Sequence, residues 1–161
     1  MKELPVIDPD RRVFLKTTCL ALCALPLAVG VQSCEEDETR IVAPQGKEYL
    51  YNIANETDLA EVGGAVRKEF PEINAGRGLN IVRISQTQFL IVSAVCTHEG
   101  CTVDLPGDNA ENSPDMVCPC HLAKFSKTTG KVLRTPGVPI NDLTVFENTY
   151  DASTTTITIK Y

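Results

Sequence analysis

Apolar residues fall along this chain in short runs separated by turn chemistry, and the runs carry the period of strands, not of helices. Leu79-Asn80-Ile81-Val82-Arg83-Ile84 alternates, and Phe89 to Val95 is a β-rich apolar run suited to a core strand. Lys47 to Ala54 and Ala65 to Phe70 predict two earlier strands. The end of the chain, Leu143 to Tyr150 and then Thr154 to Tyr161, predicts a hairpin around Asp151-Ala152-Ser153. Gly63-Gly64, Gly76-Arg77-Gly78 and Gln86-Thr87 supply turns between the runs. Leu105 to Pro114 is polar, acidic and bounded by proline, so it predicts a loop. No helix and no internal repeat stands out in this part of the chain. The pattern predicts one small all-β domain, a partly closed antiparallel barrel.

One apolar run lies outside that pattern. Residues from Cys19 to Val31 are too few to span a bilayer comfortably, and Asp10-Arg11-Arg12-Val13-Phe14-Leu15-Lys16 precedes them. The stretch resembles a twin-arginine export signal. Val31-Gln32-Ser33-Cys34 then resembles a lipoprotein processing box, which implies a lipidated N-terminus at Cys34. An uncleaved N-terminal anchor helix is the alternative. Glu35-Glu36-Asp37-Glu38 looks like an acidic surface-export tag and reads equally well as a solvated linker. The expected organisation is an export signal over 1–33, an acidic linker and first strand over 34–56, and the domain proper over 57–161. The expected location is the periplasmic side of a membrane or the cell surface.

Composition narrows the function. A chain of 161 residues with 43% hydrophobic content has room for one packed domain and a short appendage. Aromatics are 6% with no Trp, and the net charge is -6, which together exclude nucleic acid as a partner. Seven Cys against two His is the unusual ratio. Without the export signal the cysteines are Cys34, Cys96, Cys101, Cys118 and Cys120, and the last four form two tight pairs, each beside one of the two His.

These pairs define two loops, Cys96-Thr97-His98-Glu99-Gly100-Cys101 and Cys118-Pro119-Cys120-His121-Leu122-Ala123-Lys124-Phe125. Each offers a thiolate and an imidazole close enough in sequence to converge on a metal. Thiolates suit iron and zinc, and imidazole suits either. A closed zinc site of two Cys and two His is one reading. The second thiol in each loop, Cys101 and Cys120, has no task in such a site, whereas an exported, oxidised protein can join the two.

The two loops resemble those of Rieske [2Fe–2S] proteins, in particular the disulfide-containing class of cytochrome bc complexes. The likeness is strong over residues 96–125 and extends over roughly 57–161 as a domain. It implies a Rieske-like antiparallel β-sandwich or partly closed barrel, with one [2Fe–2S] cluster between the loops. Cys96 and Cys118 would hold one iron and His98 and His121 the other, the substitution that raises the potential of such clusters. Cys101 and Cys120 would form the disulfide. Gly100 would allow the close turn, and Thr135-Pro136-Gly137-Val138-Pro139 would cover the cluster, with Thr135 where the family usually has Gly. The loop over 102–117 is longer than is common. Ala123 and Phe125 stand where high-potential members carry Ser and Tyr, so two hydroxyl donors to the cluster are missing.

The function implied is electron transfer with redox partner proteins, in a quinol-linked or respiratory chain and attached to a membrane. An iron–sulfur subunit of a larger oxidoreductase, of the quinol–cytochrome c or arsenite-oxidase kind, is the alternative. A self-contained oxygenase needs further His ligands for a mononuclear iron, and both His are already committed, so no catalytic site of its own is expected. Finally, Lys124, Lys127, Lys131 and Arg134 lie in a stretch without acidic residues that could steer an acidic partner. Asp104, Asp108, Glu111 and Asp115 in the adjoining loop are placed to neutralise it.

Overall fold

The computed structural model describes residues 46–161. In chain order their strands are β1 (Glu48–Asn52), β2 (Ala65–Lys68), β3 (Leu79–Arg83), β4 (Phe89–Ser93), β5 (Met116–Val117), β6 (Lys124–Phe125), β7 (Val132–Arg134), β8 (Asn148–Asp151) and β9 (Thr156–Lys160). They make three antiparallel sheets of three strands, ordered β1-β9-β8, β2-β3-β4 and β5-β6-β7. Two single turns of 3-10 helix, Thr57–Leu59 and Asn74–Gly76, are the helical content of the described residues.

The sheet β2-β3-β4 forms the middle layer, and its burial explains why β3 is not half polar. Leu79 and Ile81 of β3, with Phe89 and Ile91 of β4, join Ile157 and Ile159 of β9 in one core. Val82, Leu90 and Val92 point the other way and pack with Val103, Met116, Ala123 and Phe125 around the two loops. Successive side chains of a strand face opposite sides, so a sheet covered on both sides loses the apolar–polar alternation. Asn80 is the polar residue caught inside, fully buried. Its amide nitrogen donates to the Val103 carbonyl at 2.9 Å, and its Oδ1 accepts from Arg67 Nε at 3.1 Å. This ties the middle sheet to the return of the first loop.

The all-β, antiparallel expectation holds, with one correction: the sheets do not close into a barrel. The C-terminal hairpin is also shorter than expected. Residues 143–147 run beside β4 instead, through Ser93 N–H to Thr144 O at 2.8 Å, Phe146 N–H to Ile91 O at 2.9 Å and a bridge at Val92–Val145. The chain changes sheets there, and only from Asn148 does it pair with β9. At the other end, β1 pairs along β9 from Glu48–Lys160 to Asn52–Thr156, so these residues are part of the folded sheet. The polar segment before β5 is the loop its sequence predicts. Asn109 organises it, donating to the carbonyls of Leu105, Ser113 and Asp115 and accepting from the Ser113 N–H.

Candidate metal centre

The two Cys/His loops share one backbone design. In the first, Cys96 N–H donates to Cys101 O at 2.8 Å and Gly100 N–H donates to Cys96 O at 2.9 Å. In the second, Cys118 N–H donates to Ala123 O at 2.8 Å and Leu122 N–H donates to Cys118 O at 2.9 Å. A third copy without ligands follows at 126–131, closed by Ser126 N–H to Lys131 O and Gly130 N–H to Ser126 O. Each knuckle needs a left-handed residue at its fifth position, and φ is +76° at Gly100, +58° at Leu122 and +75° at Gly130. Glycine takes that conformation freely, while leucine does so at a cost.

The knuckles sort the donors into two pairs. Cys96 and Cys118 are free thiols, both buried. Burial, and then the hydrogen-bonded Cys96 thiol beside it, push the Cys118 thiol up to about 11. Held beside a second thiol and away from water, Cys118 resists ionisation until a cation compensates it. His98 and His121 lie toward the surface, with side chains 20% and 44% exposed. Their Nδ1 atoms are 3.2 Å apart and their rings nearly perpendicular.

These spacings decide between one metal ion and two. Two nitrogens bound at about 2.0–2.1 Å to one tetrahedral ion stand about 3.3 Å apart, close to the observed separation. A single zinc would also need each sulfur about 3.6 Å from each nitrogen. Among the described residues, no three donors within 4.8 Å of one another combine those thiols with those imidazoles. The donor set fits a thiol-bound ion and an imidazole-bound ion side by side.

Other residues hold this arrangement. Cys101 and Cys120 are joined in a disulfide that links the two knuckles. Thr97 Oγ1 donates to Asn141 O at 2.6 Å, fastening the first knuckle to the end of the Pro-rich segment. Arg134 Nε donates to Leu122 O at 2.7 Å, next to His121, while its Nη2 binds Glu111 Oε1 at 2.7 Å. Glu111 also meets Lys124 at 3.4 Å, and Arg134 first, with Lys124, holds the Glu111 carboxyl below its usual range. The long loop before β5 thus braces the second knuckle, and Glu111 neutralises two of the cations in the basic stretch. Glu99 lies against both imidazoles, with Oε1 at 4.0 Å from His98 Nε2 and Oε2 at 3.8 Å from His121 Nε2. Sequence reading passes over Glu99 as a loop residue; its place directly after a ligand-type His was the available signal. Arg134 reads in the sequence as one cation of the basic stretch, and nothing there marks its contact with the Leu122 carbonyl.

A mostly antiparallel β fold whose loops converge two buried thiols and two partly exposed imidazoles defines an iron–sulfur protein with mixed ligation. Comparison with known proteins agrees: the family model of the Rieske [2Fe-2S] domain matches residues 51–147, and the chain belongs to that family. The Rieske domain makes it a Rieske-type electron carrier with one [2Fe–2S] cluster. Among solved structures it is similar to the cyanobacterial plasma-membrane Rieske protein PetC3 of Synechocystis PCC 6803. The identity there is 30% and the TM-score 0.46, covering 61% of this chain and 87% of that one. The ferredoxin of carbazole 1,9a-dioxygenase from Nocardioides aromaticivorans IC177 is 21% identical with a TM-score of 0.46, covering 62% and 86%. The quaternary ammonium Rieske monooxygenase CntA is 15% identical with a TM-score of 0.47, and the likeness spans 64% of this chain and 28% of that one. Among curated proteins none matches.

Proposed function

We propose that this protein is an exported one-electron relay, anchored to a membrane outside the cytoplasm and serving a quinol-linked or respiratory chain. Cys96 and Cys118 hold one iron as thiolates, and His98 and His121 hold the other through Nδ1. The observation that carries this reading is the separation of the donors into a buried thiol pair and an imidazole pair with Nδ1 atoms 3.2 Å apart. When bound, the cluster supplies a one-electron couple whose potential is raised because imidazoles replace anionic thiolates. His98 and His121 turn Nε2 toward the exposed Glu99 side chain, the side from which a partner can approach. The disulfide keeps both knuckles in register while neither of its sulfurs serves iron.

Attachment and location rest on Arg11-Arg12, the apolar residues 19–31 and the box ending at Cys34. All of these lie outside the described residues. Among the described residues no helix is long and apolar enough to cross a membrane. The attachment proposed is a lipid at Cys34, with an uncleaved N-terminal helix as the alternative.

Two measurements test the reading. Electron paramagnetic resonance of the reduced protein is expected to show the low-average-g signal of a His-ligated [2Fe–2S] centre, and a spectrum without it overturns the assignment. Mass analysis of the N-terminus of protein taken from membranes is expected to find acylated Cys34. An intact residue 1 supports instead an iron–sulfur subunit of a larger oxidoreductase.

A further inference from the structure

We propose that Glu99 is a potential-setting residue, an anion placed against both imidazoles that favours the oxidised centre. The inference rests on the ligand assignment above and goes beyond it. Glu99 is 62% exposed, yet its two oxygens divide between the two rings, one at 4.0 Å from His98 Nε2 and the other at 3.8 Å from His121 Nε2. The backbone leaves it little choice of place. It sits between His98 and left-handed Gly100 in a knuckle closed by two hydrogen bonds, and Arg77 Nη2 holds the Gly100 carbonyl at 2.9 Å.

The chemistry follows from charge. One electron arrives from the donor protein and one leaves to the acceptor, so the centre alternates between two states that differ by one unit of negative charge. An anion beside the imidazoles raises the energy of the more negative state. As a stabiliser of the fold the same contact is worth little, because an exposed ion pair gains little in water. As a neighbour of the charge that changes, it acts on every electron transferred. Its effect has the same direction as the absence of hydroxyls at Ala123 and Phe125.

The test is voltammetry at neutral pH and low salt on the holoprotein and on its E99Q, E99K and E99D variants. Iron content and the paramagnetic spectrum are recorded first. Removing the charge in E99Q is expected to favour reduction about fivefold, or about 40 mV at about 59 mV per decade. E99K is expected to move further in the same direction, and E99D to stay with the parent. The gap between parent and E99Q is expected to shrink in about 1 M salt, where the screening length is about 3 Å. If E99Q and E99K hold a normal cluster at the parent potential, the proposal is overturned. It falls equally if E99D shifts as far as E99Q, since shape and not charge would then be responsible. A parent without the cluster signal overturns the ligand assignment itself, and that outcome is visible before any potential is read.

Discussion

His98 Nδ1 and His121 Nδ1 stand 3.2 Å apart although 23 positions separate the two residues in the chain. The contact reflects the two knuckles beneath the rings, which bring the loops together. If both nitrogens bind one iron, His98→Ala and His121→Ala each abolish the cluster instead of shifting its properties. Iron analysis and visible absorption check this. A variant retaining full iron shows that its residue is not a ligand.

The disulfide between Cys101 and Cys120 closes a separation of 19 residues and touches both knuckles. Replacing both by Ser is expected to cost roughly 2–4 kcal/mol of stability while leaving some cluster in place. Denaturant unfolding with iron analysis separates the two effects. Unchanged stability and potential would show that the bond contributes nothing in solution.

Ala123 and Phe125 are fully buried in the core that also holds Cys96 and Cys118. If a hydroxyl at either position donates to sulfur, as the family resemblance implies, the bond strengthens on reduction and favours the reduced form. Ala123→Ser and Phe125→Tyr are each expected to raise the potential by some tens of mV, taking about 1–2 kcal/mol per bond and about 59 mV per 1.4 kcal/mol. The parent is then expected in the lower half of the roughly -150 to +300 mV Rieske range. Voltammetry at fixed pH decides; hydroxyl variants that fail to rise defeat the argument.

Leu122 carries φ of +58° where the equivalent knuckle positions are Gly100 and Gly130. The left-handed conformation costs a leucine about 1–2 kcal/mol, and glycine gives back roughly 0.5–1 kcal/mol through its freer unfolded chain. Leu122→Gly is therefore expected to stabilise the holoprotein by about 0.5–1 kcal/mol, read as a higher Tm. Gly100→Ala, with Arg77 Nη2 only 3.2 Å from the added Cβ, is expected to destabilise it.

Lys68 Nζ lies 2.7 Å from Glu56 Oε1 and lowers the Glu56 carboxyl below its usual range. A carboxyl depressed in the folded state stabilises above its unfolded value, near 4.3, and loses that contribution as pH falls through the folded value. Between about pH 5 and pH 3 the parent should therefore lose more Tm than Glu56→Gln. Parallel melting curves would contradict this.

The sequence is most legible where a residue type answers to one physical demand. β4 could be read because Phe89 to Val92 is apolar throughout, and the ligand loops because thiols and imidazoles recur at matched spacing. The small sheet β5-β6-β7 could not, because strands of two and three residues carry no period. Residues 143–147 misled because an extended segment looks the same whichever sheet it joins. Asn80 looked like the polar half of an alternating strand, yet it is buried and bonded to Val103. Only long-range packing distinguishes those cases.

Three separate sheets, in place of a closed barrel, give the molecule seams along which it can come apart. The knuckles rest on short strands and a disulfide, while the larger sheets share a core of their own in which Leu79, Ile91 and Ile159 are completely buried. Cooperative units of unequal stability open independently, so stripping the iron should melt the tip and spare the base. Amide hydrogen exchange in the metal-free protein is then fast at Val117 and Phe125 and slow at Ile81 and Ile157. A protein built this way receives its metal on a platform already folded, and losing the metal disarms it without condemning the chain.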